Sequence, residues 1–122
     1  GDAKLALRFN VAREKFTDNT IHIVLRVIRE LVINAVRHGH ATEIKVAGCI
    51  EGKRLLFSVS DNGIGFDPAI APGMEQGHFG LEGIRDRIAL FDGNLTINSR
   101  NGRGTKAIVS LKLNDTNAET FA

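Results

Sequence analysis

Asp61 stands where an apolar residue is due. The stretch Leu55-Leu56-Phe57-Ser58-Val59-Ser60 alternates as a strand does, and counting by twos from Leu55 places Leu55, Phe57, Val59 and Asp61 on one face. That face is the one expected to be buried, and a carboxylate there is costly unless a donor meets it. Two readings are open: Asp61 caps the Asn62-Gly63 turn, or it receives a ligand. An ionised carboxylate only accepts hydrogen bonds. Adenine offers an exocyclic amino donor where guanine presents a carbonyl oxygen, so a buried aspartate would favour adenine and leave guanine with two facing acceptors.

A second group lies upstream. Glu30, Asn34, Arg37 and His38 fall at i, i+4, i+7 and i+8 of a helical pattern. At about 100° per residue the first three share a sector of roughly 60°. Asparagine is a poor residue for mid-helix, so the alternatives are an incidental surface Asn or one kept for its chemistry. A carboxylate and a carboxamide oxygen one turn apart are hard ligands suited to Mg²⁺ and its waters. Arg37, a turn further, would balance phosphate charge. Of the 13 glycines, those from Gly63 to Gly104 crowd one region, and Gly77-His78-Phe79-Gly80 precedes a helix start, where free N–H groups attract anions. His38 and His40, two residues apart with no third ligand, do not suggest a transition-metal site.

These residues need elements to hold them. Leu5, Leu7, Phe9 and Val11 alternate as an opening strand. Thr20 to His38 has helical spacing, with Val24, Val27, Ile28, Leu31 and Ala35 as its buried stripe and Gly39 as a left-handed stop. Glu43 to Ile50 and Leu55 to Ser60 read as an antiparallel pair turning at Glu51-Gly52-Lys53. Residues 67–79 form a long loop of the kind that often serves as a lid. Gly80 to Phe91 is helical, carrying Leu81, Ile84, Ile88 and Phe91 on one side, and Gly93 ends it. Asn94 to Ser99 and Thr105 to Leu113 make two further strands around Arg100–Gly104. The expected fold is α/β: a two-layer sandwich of a mixed, mainly antiparallel sheet with helices on one face. Residues 1–113 form the domain and 114–122 a polar, disordered tail.

Composition narrows the function. The chain has 122 residues, 43% hydrophobic and 25% charged, which suits one globular domain. No apolar run approaches the roughly 18 residues that span a bilayer, and Gly1-Asp2-Ala3-Lys4 does not open a leader. With a net charge of +2, scattered Lys and Arg, and neither Trp nor Tyr to stack bases, nucleic-acid binding is not expected. The single cysteine, Cys49, fits a reducing compartment and is expected to pack as a small hydrophobe.

The segments RELVINAVRHG, SVSDNGIGF and GHFGLEGIRDRI, in that order, resemble the ATP-binding boxes of sensor histidine kinases, most closely those of the nitrate-sensor and sugar-phosphate-sensor type. The likeness covers roughly residues 20–113 and extends to a superfamily that includes type II topoisomerases. It implies the Bergerat ATP-binding fold, with ATP between helices and sheet beneath a lid. By the same likeness Asn34 and Glu30 would serve Mg²⁺, Glu30 orienting a metal-bound water or assisting proton transfer, while Arg37 and His38 would lie near phosphates and ribose. Asp61 would bind the adenine amino group, Gly63 and Gly65 would shape the pocket edge, and His78, Gly80 and Leu81 would meet phosphate. Thr105 resembles the threonine that supports the adenine-side water and carboxylate.

The four histidines are followed by Ile23, Gly39, Ala41 and Phe79, so none has the acidic neighbour usual for the family's phosphoacceptor. The phenylalanine-rich segment common between the boxes is not evident either. The resemblance therefore implies the catalytic part of a longer kinase on the cytoplasmic side of the membrane. Its partners would be a phosphoacceptor-histidine dimerisation segment and a response regulator, with the parent a homodimer. The alternatives within the same fold are an anti-sigma-type serine kinase and a non-catalytic ATP sensor.

Overall fold

The computed structural model describes residues 3–65 and 81–113. The lid expected at 67–79, His78 and Gly80 within the site, and the tail at 114–122 lie outside the described residues. The chain runs β1 (Lys4–Phe9), a single 3₁₀ turn (Arg13–Lys15), α1 (Asp18–Arg37), β2 (Glu43–Glu51), β3 (Arg54–Asp61), α2 (Leu81–Ala89), β4 (Asn94–Ser99) and β5 (Thr105–Lys112). The five strands lie in the order β1-β2-β3-β5-β4, with β1 parallel to β2 and the other three pairs antiparallel. This is the mixed, mainly antiparallel α/β sandwich the sequence suggested.

Thr17 starts α1: its backbone is extended and its hydroxyl accepts the Thr20 N–H at 3.2 Å, satisfying one of the free donors of the first turn. The helix buries Thr20, Ile23, Val24, Val27, Leu31 and Ala35. Ile23 thus joins the expected stripe, and Ile28 sits at its margin, partly buried. Beneath lies the inner face of the sheet, whose rows follow from strand register. Leu55 pairs Leu111, Phe57 pairs Val109, and Val59 stands between Val46 and Ala107. All of these are buried, and Ile84 and Ile88 of α2 complete the core with no exposed surface.

Several local expectations change. The left-handed residue after α1 is His40, at φ 53°, one position beyond Gly39. Gly39 is required for room instead, since a Cβ there would lie 2.8 Å from the Ala35 carbonyl oxygen. A left-handed residue also closes α2, one position before Gly93. Asp92 is left-handed at φ 49°, and the N–H groups of Gly93 and Asp92 return to the carbonyls of Ile88 and Ala89 at 3.0 and 3.1 Å. The hairpin between β2 and β3 is tighter than expected, because Glu51 already pairs Arg54. Cys49 is exposed, not packed, because it alternates onto the sheet face opposite the helices. Leu5 and Leu7, which pair Ile44 and Val46, remain 59% and 65% exposed. They share the helix-side face, but β1 is the edge strand and α1 packs over β2 and β3.

Candidate functional site

The last inner-face row of the sheet is Ile44–Asp61–Thr105–Ser99. Asp61 is half-buried here, at the end of a face that is otherwise apolar, and desolvation pushes its carboxyl above the usual value of 3.8. The N–H groups of Gly63 and Thr105 donate to the carboxylate and partly oppose that rise. The Gly63 bond is 2.8 Å long. Asp61 therefore caps its turn and also faces a cavity; the two readings left open by the sequence are compatible.

That cavity, of about 330 Å³, lies between the layers, within the range of small-ligand sites. Leu31, Asn34, Ala35, His38 and Gly39 from α1 and its end form one wall. Val59, Ala107 and Ile97 form an apolar floor on the sheet, and Asp61 and Thr105 supply the polar end. Ile64 and Gly65 make one rim and Leu81, the first residue of α2, another. Gly65, at φ 63°, and Gly104, at φ 80°, take backbone conformations that suit glycine. A Cβ on Gly65 would also strike the Arg100 carbonyl, and one on Gly104 the Asp61 carbonyl. Ser99 Oγ lies 2.7 Å from Thr105 Oγ1, orienting the hydroxyl beside the carboxylate.

Of the residues singled out in the sequence, Asn34, His38, Asp61, Gly65, Leu81 and Thr105 meet around this one cavity. Gly63 stands directly behind it through its bond to Asp61. Glu30 and Arg37 do not line it. The Glu30 carboxylate is held by Arg87 of α2 at 2.6 Å and lies 3.8 Å from Arg26. Arg37 is exposed in the last turn of α1. The sequence reading missed Leu31, Val59, Ile64, Ile97, Ala107 and Ser99. Ile97 and Ala107 were available from the alternation of β4 and β5, whereas Ser99 needed the register that sets it opposite Thr105. Among the described residues there is no cluster of three or more His, Cys, Asp or Glu side chains able to hold a metal.

The donor set fits a nucleotide. An acceptor carboxylate ends an apolar cavity, and a carboxamide and an imidazole stand on the helix-side wall. Residues 19–115 match the family of histidine kinase-, DNA gyrase B- and HSP90-like ATPases, and the chain belongs to it. Within that family its relatives are sensor kinases. It is 33% identical over 112 residues to the signal transduction histidine-protein kinase/phosphatase DegS of Bacillus subtilis, covering 92% of this chain and 26% of DegS. It is 36% identical over 95 residues to the nitrate/nitrite sensor protein NarQ of Escherichia coli, covering 75% of this chain and 16% of NarQ. The chain thus spans about a quarter or less of these relatives. The fold is shared with the blue-light activated histidine kinase of Erythrobacter litoralis EL346, at a TM-score of 0.78 and 17% identity over 98% of this chain and 37% of that one.

Proposed function

We propose that this chain is the ATP-binding, phosphoryl-donating part of a sensor histidine kinase in two-component signalling. The observation that carries the reading is the half-buried Asp61 carboxylate opening on a cavity whose opposite wall presents Asn34. Asp61 accepts the adenine amino group, with Thr105 beside it, and Val59, Ala107 and Ile97 lie against the ring. Gly63 and Gly65 leave room at the pocket edge. Leu81, with Gly80 and His78 before it, meets the phosphates, and His38 and Arg37 serve ribose and phosphate charge. Mg²⁺, when bound, neutralises phosphate charge, and Asn34 is the ligand the cavity offers it. Glu30 takes part in metal binding and proton transfer only after exchanging its Arg87 partner.

The γ-phosphoryl group passes to a histidine nitrogen on a dimerisation segment of the parent kinase, the P–O bond to ADP breaking as the P–N bond forms. This chain's contribution is positioning and charge neutralisation. A response regulator receives the phosphoryl group next, and the parent acts as a homodimer on the cytoplasmic side of the membrane. Among the described residues no helix is long and apolar enough to cross a membrane.

Calorimetric titration with ATP and GTP, each with and without Mg²⁺, tests the reading. ATP is expected to bind in the micromolar range, more tightly with Mg²⁺, and at least about tenfold more tightly than GTP. Asn34→Ala should abolish the Mg²⁺ enhancement. Equal binding of the two nucleotides would remove Asp61 as the base reader, and binding of neither would remove the pocket.

A further inference from the structure

We propose that Asn62 is a positioning residue, whose side chain straps the loop after β3 to the start of β2 and thereby sets where the Asp61 carboxylate stands in the cavity. The proposal rests on the nucleotide reading of that cavity and goes beyond it by naming what holds the reader in place.

Asn62 is exposed, yet both its carboxamide oxygen and its carboxamide nitrogen bond to protein. Its Oδ1 accepts the N–H groups of both Thr42 and Glu43 at 2.9 Å, and its Nδ2 donates to Thr42 Oγ1 at 2.9 Å. Two donors converging on one oxygen leave a single orientation for the amide. The Asn62 N–H also donates to the Glu43 carbonyl at 3.2 Å. Further along the loop, Ile64 donates to the Gly39 carbonyl at 2.9 Å and accepts from Gly102 at 2.5 Å. The segment 61–65 is therefore tied on one side to the end of α1 and the entry to β2, and on the other to the β4–β5 hairpin.

Asp61 depends on these ties. One of its two backbone donors, Gly63, belongs to the strapped loop, so loop and carboxylate shift together. Gly63 is itself pressed against the Gly39 carbonyl, close enough that a Cβ would strike it. Asn34 and His38 project from the same end of α1. The strap consequently fixes the base-reading end of the cavity relative to its phosphate-side wall. A misplaced acceptor costs affinity for the base that needs it and costs little for a base that does not.

Three variants decide the matter: Asn62→Ala, which removes every side-chain bond; Thr42→Val, which removes only the Nδ2 partner; and Asn62→Asp. In the last, the carboxylate still accepts both N–H groups and the Thr42 hydroxyl turns to donate to it. ATP and GTP affinities are measured by calorimetry alongside thermal unfolding. Asn62→Ala is expected to lose about tenfold in ATP affinity with little change for GTP, Thr42→Val to lose a few-fold, and Asn62→Asp to recover most of the loss. A merely structural Asn62 would lower the melting temperature while leaving the ATP-to-GTP ratio of the folded protein unchanged, and that result overturns the proposal. Should Asn62→Ala fail to fold, an unchanged ratio in Thr42→Val together with a fully altered one in Asn62→Asp overturns it equally. If the unmutated chain binds neither nucleotide, the reading of the cavity itself has failed, and the proposal built on it falls too.

Discussion

At the scale of single residues, the site is organised around a carboxylate placed against its own solvation. Its position was legible because alternation is strict along β3: once Leu55, Phe57 and Val59 are assigned inward, Asp61 follows. The partner of Glu30 was not legible, because Arg87 lies on another helix and only tertiary packing brings the two to 2.6 Å. Desolvation of Asp61 has a consequence for stability. Its folded-state carboxyl titrates above 3.8, so between the unfolded and folded values the native state holds more proton than the unfolded chain. Ionising the group in the native state is therefore unfavourable, and its contribution to stability declines as pH rises through that window. Asp61→Asn removes the titration. The difference in urea midpoint between Asp61→Asn and the unmutated chain should move in the variant's favour from about pH 3.5 upward and level off once Asp61 is ionised. The same substitution replaces part of an acceptor with a donor, and ATP affinity should fall by at least about tenfold. A constant difference across pH would mean that Asp61 is not desolvated.

At the scale of elements, the periodicities of α1, β3, β4 and α2 were readable, and the errors gather at ends and edges. The stop at Gly39 was attributed to the conformational freedom of glycine, yet the left-handed residue is its neighbour His40, and beside Gly93 it is Asp92. The sequence shows that a chain turns near Gly39 and Gly93 but not whether glycine is there for its φ or for its missing Cβ. Only packing separates the two. At Gly93 a Cβ would lie 2.7 Å from Leu111 Cδ2 and 2.8 Å from the carbonyl oxygens of Ile88 and Ser110. Backbone oxygens cannot step aside cheaply, so Gly93→Ala should cost about 1–3 kcal/mol. His40→Gly should act in the opposite sense, stabilising by about 0.5–1 kcal/mol through relief of the left-handed conformation. Chemical denaturation of the two variants checks both signs. Edge strand β1 shows a different limit: its apolar alternation is genuine, but nothing local reveals that α1 stops short of covering Leu5 and Leu7.

At the scale of the whole molecule, the cavity is where the two layers fail to close on each other. Its walls come from α1, from three strands and from the start of α2, segments separated along the chain and joined only in the fold. The crossover that sets β5 between β3 and β4 is what brings Thr105 beside Asp61. No short-range pattern announces it; that Thr105 supports the carboxylate was implied only through resemblance. Because a nucleotide in this gap would touch both layers, its binding free energy opposes separation of helix from sheet and hence global unfolding. At a ligand concentration a hundredfold above Kd, the stabilisation is about 2.7 kcal/mol. For a domain of this size that amounts to a rise in melting temperature of roughly 10 °C. Calorimetric melting at that concentration of Mg-ATP should show the rise in the unmutated chain and about half of it or less in Asp61→Asn, and GTP at the same concentration should raise the unmutated chain by about half as much or less. A rise of equal size in Asp61→Asn would place the nucleotide elsewhere on the molecule, for then the two-layer cavity would not be what the ligand holds shut.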